Sequence, residues 1–200
     1  MGDVSRAHLT RQPPPPFPIH SAHDRRKKRE DMDTKPLQDA YRALLDAAAT
    51  VADSGDPSPL PPAGEWNADQ ILAHVAIISA ATIAAVSAIT SGANTTYDNR
   101  IALDTWTIDR LIALVGGSAG LRDRIHLQAE ALCTLGGPML SDAELNTPVP
   151  ARLLSNDTVL VDQPMPLRDL ITGLAEAELP GHAKQLLALL PTGTGAESAA

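Results

Sequence analysis

The sequence predicts an all-α protein, and three observations carry that expectation. Ala and Leu dominate the 200 residues, and aromatic residues make up only 2%. Long apolar segments are bounded by helix start and stop signals. Strand-like character is confined to one stretch, residues 149–165.

The first helix is expected over residues 36–53, with Pro36 at its first position, where a missing N–H costs nothing, and Gly55 just past its end. A Pro-rich loop, residues 56–64, follows. The second helix has the clearest start: Asn67 is placed to cap it, Gln70 stands at the third position of a capping box, and Trp66 can staple onto Ile71. It is expected to reach about Gly92. A polar loop over residues 93–104 then leads to a helix over 105–115. Gly116-Gly117-Ser118-Ala119-Gly120 breaks it, and helix resumes over 121–135. Residues 149–165 read as a short irregular hairpin or ordered loop turning at Ser155-Asn156-Asp157. The last helix spans 167–190 and is stopped by Pro191.

These signals divide the chain into a Pro-rich, basic arm (1–35) expected to be disordered, a helical domain (36–190) and a disordered tail (191–200). Residues 1–31 hold seven Lys/Arg against four Asp/Glu, and residues 32–200 hold nine against twenty. The arm is too poor in apolar residues to order itself, and Met32 is the expected start of the folded unit. An acidic body repels a phosphate backbone, so nucleic acid is not an expected partner. Cys133 is the only cysteine, which excludes a disulfide framework and fits a reducing cytoplasm. No Asp, Glu, Lys or Arg occurs from Ile71 to Tyr97. That length could span a bilayer, but seven of residues 71–90 are Ala, polar groups interrupt the stretch, and Asp69 and Asp98 flank it where basic anchors would be expected. A buried core helix is the better reading, and no membrane partner is expected.

The candidate chemistry lies in Glu178 and His182, four residues apart and so on one helical face, together with His74 on the apolar second helix. Each alone has an ordinary reading: a hydrogen-bonded core histidine, a surface carboxylate, a helix-end histidine. Together they form a set that can hold a divalent metal and leave a position open, as helical bundles build such sites. His126 shares its face with Arg122 and Glu130 and reads as a surface residue paired with Glu130. His8, His20 and His23 belong to the arm.

Trp66-Asn67 opening the helix that carries His74, and Leu167-Arg168-Asp169-Leu170 leading into Glu178-x3-His182-Ala183-Lys184-Gln185, resemble the DinB/YfiT-like superfamily. Within it the chain is most similar to the mycothiol-dependent maleylpyruvate isomerase branch. The resemblance implies a four-helix bundle, with His74, Glu178 and His182 as ligands of Zn²⁺ or another divalent ion such as Ni²⁺. It also implies a small-molecule substrate, a low-molecular-weight thiol such as mycothiol, and helix-to-helix pairing in a homodimer. Helix two, apolar on more sides than one core requires, fits that pairing. The expected activity is metal-dependent thiol transfer or isomerisation; the alternative is a non-catalytic bundle that binds a metal or small ligand. Two features depart from the pattern. Pro180 falls between two expected ligands, where it removes a helical hydrogen bond and clashes with the Glu176 carbonyl, so a kink or a fresh helix start is expected there. The isomerase branch also usually carries a second, C-terminal domain that helps bind the thiol. Ten residues follow Leu190 here, so the thiol is expected to be held by the bundle or a partner subunit.

Overall fold

The computed structural model of the chain describes residues 32–54, 61, 65–155 and 158–191. The arm through residue 31, most of the Pro-rich loop, Asn156 and Asp157 of the expected turn, and residues 192–200 lie outside the described residues.

Helix α1 runs Lys35–Asp53, one residue earlier than expected, with Pro36 in its first turn. Its buried residues, Leu37, Ala40, Tyr41, Leu44, Ala47, Ala48 and Val51, recur every three or four positions and so form one stripe. Helix α2 runs Ala68–Thr90 and begins with the expected capping box. Asn67 Oδ1 accepts from the Gln70 N–H at 2.9 Å, and Gln70 Oε1 accepts from the Asn67 N–H at 3.1 Å. From Ile71 to Ala76 every residue is buried, so this helix starts inside the protein and its lack of charge follows from its surroundings. It is the one described helix long and apolar enough to cross a membrane, and 61% of its most apolar window is buried by the rest of the fold.

Helix α3 (Thr105–Val115) ends where Gly116 and Gly117 adopt φ of 81° and 80°, a left-handed backbone that favours glycine. Helix α4 begins at once and runs Ser118–Gly136, so the glycine-rich break is narrower than expected. A short helix α5, Asp142–Leu145, follows behind a second capping box, Ser141 with Glu144. The last helical region is continuous from Leu167: α6 (Leu167–Gly173), a π-helical segment Leu174–Glu178, then α7 (Leu179–Leu187). Helix α2 packs on α4, and α1 packs on α4, the π segment and α7. Ile71, Leu72, Leu132 and Leu186 are fully buried between them, each contributing about 1.5–3 kcal/mol by area.

The fold is mostly helical but not purely so. Strands β1 (Tyr97–Asp98), β2 (Pro148–Ser155) and β3 (Thr158–Pro166) form a three-stranded sheet in that order. The expected hairpin is therefore a regular antiparallel pair except for a register shift between Leu153 and Leu154, and β1 joins it in parallel. The four prolines of this hairpin are accommodated by register. Pro148 faces Pro166 and Pro150 faces Pro164, alternate positions whose N–H groups would point out of the β2–β3 ladder. The loop expected over residues 93–104 contains β1 and a 3₁₀ turn, Asn99–Ala102. Asn67→Ala should lower stability by about 1 kcal/mol through loss of the α2 cap, read as a lower denaturant midpoint at constant slope.

Candidate metal centre

Three elements bring the candidate ligands together. His74 lies two turns into α2, where the capping box fixes the helix start, and is 3% exposed. Glu178 ends the π segment, and His182 sits one turn further along α7. Glu178 Oε1 lies 2.9 Å from His74 Nε2 and 3.3 Å from His182 Nε2. The imidazole rings are 4.7 Å apart between centroids, and one donor atom from each residue falls within 4.8 Å of the others. The structure thus joins all three residues that the sequence singled out, and the group could hold a metal ion. His126 lies apart from it, 3.6 Å from Glu130 on the surface as expected.

Pro180 does not break the helix. The Leu179 N–H donates to the Leu174 carbonyl five residues back, opening a π turn directly before the proline. Pro180 then lies in the first turn of α7, where it owes no hydrogen bond. The widened turn relieves the carbonyl clash that would otherwise force a kink, and backbone angles stay helical through Glu178 and Leu179. Glu178 and His182 therefore keep their i, i+4 relation.

The outer nitrogens of both rings are committed. His74 Nδ1 lies 2.8 Å from the Ala102 carbonyl, which can only accept, so Nδ1 donates there in the tautomer that leaves the Nε2 lone pair free. His182 Nδ1 lies 2.9 Å from Gln185 Oε1, another acceptor. When both neutral rings hold their proton on Nδ1, both Nε2 atoms present lone pairs towards the Glu178 oxygen. In that arrangement three lone-pair atoms converge, and a metal ion between them would satisfy all three, whereas a proton on either Nε2 would instead donate to Glu178. Donors about 2.0–2.2 Å from a tetrahedral ion lie about 3.4 Å apart, so seating one needs shifts of a few tenths of an ångström on the Glu178 edges and a closure of about 1 Å or more between the two imidazoles, whose donor atoms lie up to 4.8 Å apart. The donor set of two imidazoles and a carboxylate fits such an ion, with Ala102 and Gln185 as the outer partners that orient ligating histidines.

The surroundings are asymmetric. Trp66 covers one side of His74, its ring centroid 4.8 Å away, while the Glu178 side chain is 36% exposed and opens the site to solvent. The bonds to His182 and His74 hold the Glu178 carboxyl well below the usual carboxylate range, against the opposing effect of burial. Burial pushes up the Tyr97 phenol, which stands close enough to Glu178 to feel its charge. Cys133 is buried on α4, and burial raises its thiol. The sequence did not point to Ala102, whose contribution is a backbone carbonyl with no residue signature. It did carry Gln185, three residues after His182. No family model, curated protein or solved structure matches the chain.

A depressed carboxyl stabilises the fold fully above its ordinary range, and that stabilisation is lost as pH falls towards the depressed value. In metal-free protein, Glu178→Gln should therefore flatten the acid limb of the stability–pH curve, measured by denaturation between about pH 2 and 6.

Proposed function

We propose that the chain is a divalent-metal-dependent enzyme built on a DinB-like four-helix bundle formed by α1, α2, α4 and α6–α7. His74, Glu178 and His182 hold Zn²⁺ or a similar ion such as Ni²⁺, and the substrate is presented with a low-molecular-weight thiol of the mycothiol kind. The convergence of two imidazole lone pairs and one carboxylate oxygen carries this reading. A divalent ion held there supplies the charge that deprotonates a thiol near neutral pH. Ala102 and Gln185 keep each ring's lone pair directed inward, Trp66 excludes water from one side of His74, and the open side at Glu178 admits the thiol. Cys133, buried with a raised thiol pKa, is a poor source of thiolate, which favours an exogenous one. The cytoplasm, rich in small thiols, is the matching compartment.

The tag-free chain should carry one divalent ion, measured by plasma mass spectrometry. His74→Ala and His182→Ala should each remove that ion, and His126→Ala should not. The arm histidines are common to all these variants and cancel in the comparison. Glu178→Ala should weaken binding less, because water replaces the ligand but not its charge. Affinity should fall on acidification, since protons and metal compete for the same Nε2 lone pairs. Thiol conjugation that depends on the bound ion separates an enzyme from a metal-binding bundle without catalysis.

We further propose a homodimer through the outer face of α2 and α4. Leu127, 64% exposed, lies beside Ile83 in a groove also lined by Gly120, Arg124 and Ala131. A two-fold axis at Leu127 would set Arg124 of one copy against Glu130 of the other. Sedimentation should show a dimer at micromolar concentration that Leu127→Glu dissociates; a monomeric wild type would exclude the pairing.

A further inference from the structure

Asn99 touches none of the three candidate ligands, yet it opens the segment that orients one of them. Its side chain is buried and makes two hydrogen bonds to one residue of the hairpin. Nδ2 donates to the Leu154 carbonyl at 2.9 Å, and Oδ1 accepts from the Leu154 N–H at 2.8 Å. This is the pattern that a neighbouring strand would present. It falls one residue past the Asp98–Arg152 pair that ends β1, and beside the register shift between Leu153 and Leu154. The amide thus stands in for one more rung of the ladder and fixes where the 3₁₀ turn begins. The same turn is held by Asp98, whose carboxylate accepts from the Arg100 N–H at 3.0 Å, and is closed by the Leu103 N–H on the Arg100 carbonyl at 3.0 Å. Three residues after Asn99, fully buried Ala102 aims its carbonyl at His74 Nδ1.

Two acceptors compete for the single ring proton of neutral His74: the Ala102 carbonyl at Nδ1, and Glu178 Oε1 at Nε2. A proton on Nδ1 leaves the Nε2 lone pair free for a cation. A proton on Nε2 satisfies Glu178 and blocks that lone pair. Which arrangement wins depends on whether the Ala102 carbonyl is held in place.

We propose that Asn99 is a positioning residue of the metal centre: by docking the 3₁₀ turn on the hairpin it holds the Ala102 carbonyl against His74 Nδ1 and so keeps Nε2 available. The effect on metal affinity rests on the reading of the triad as a metal site; the effect on the His74 tautomer does not.

The experiment compares full-length wild type, Asn99→Ala and Asn99→Asp. Asn99→Asp keeps the acceptor for the Leu154 N–H and replaces the donor with a second acceptor that repels the Leu154 carbonyl, so it undocks the turn without leaving a cavity and carries the test if Asn99→Ala does not fold. Val86→Ala, at a fully buried position three turns beyond His74 on α2, controls for a general loss of stability. Two quantities are read: the His74 tautomer in metal-free protein, from long-range ¹H–¹⁵N spectra at a pH where imidazole is neutral, and the Zn²⁺ Kd, by competition with a chromophoric chelator. Wild type should show the Nδ1–H tautomer. The Asn99 variants should shift towards Nε2–H and bind Zn²⁺ about 10–100-fold more weakly, while Val86→Ala changes neither. Folded Asn99 variants with wild-type tautomer and Kd would overturn the proposal, as would the same changes in Val86→Ala. If wild type binds no Zn²⁺, the metal reading fails, and the tautomer shift alone decides the role of Asn99.

Discussion

One carboxylate oxygen shared by two imidazoles ties the two ends of this fold together. Glu178 Oε1 faces His74 Nε2 from the α2 side and His182 Nε2 from its own helix, so α2 and the last helical region must meet at one depth and register. Each ring is held from behind by an acceptor, the Ala102 carbonyl or Gln185. With both ring protons on Nδ1 and nothing between them the inner atoms would repel one another, and in a site where one ring is 3% exposed that repulsion is poorly screened. The cluster can therefore be satisfied by a ring proton or by a metal ion, and it could hold either.

Much of the backbone near the site serves this constraint. The capping box at Asn67 and Gln70 sets the start of α2 and with it the height of His74. The π turn before Pro180 lets the last helix carry a proline between its two polar groups without losing their common face. The sheet contributes at a distance: its short parallel strand ends in the 3₁₀ turn whose last residue supports His74. A small sheet on a mostly helical protein thus helps to orient a side chain on a helix it does not carry.

The sequence was legible where signals are local. Asn67 and Gln70 announce a capping box, Gly116 and Gly117 an interruption, and the spacing of Glu178 and His182 a common face. Ser141 and Glu144 carried the same capping signal, but over too short a helix to stand out. Less legible were features set by partners far along the chain. Tyr97 and Asp98 become a strand only because Ala151 and Arg152 lie beside them. The hairpin over residues 149–165 was legible, but its regular register, with the prolines at 148, 150, 164 and 166 facing one another in pairs, is set across the two strands. Pro180 predicted a kink by its own chemistry, and only the five-residue bond of Leu179 to Leu174 shows how the helix absorbs it. The Ala102 carbonyl is invisible to any reading by residue type.

The most direct measurement is anomalous X-ray scattering from crystals of the tag-free protein grown with zinc, collected on both sides of the zinc absorption edge. A single strong peak bounded by His74 Nε2, His182 Nε2 and the Glu178 carboxylate, at about 2.0–2.2 Å from each, is the expected result. Ordered side chains in the same positions with no anomalous peak between them, or a peak only at the histidines outside this triad, would contradict it.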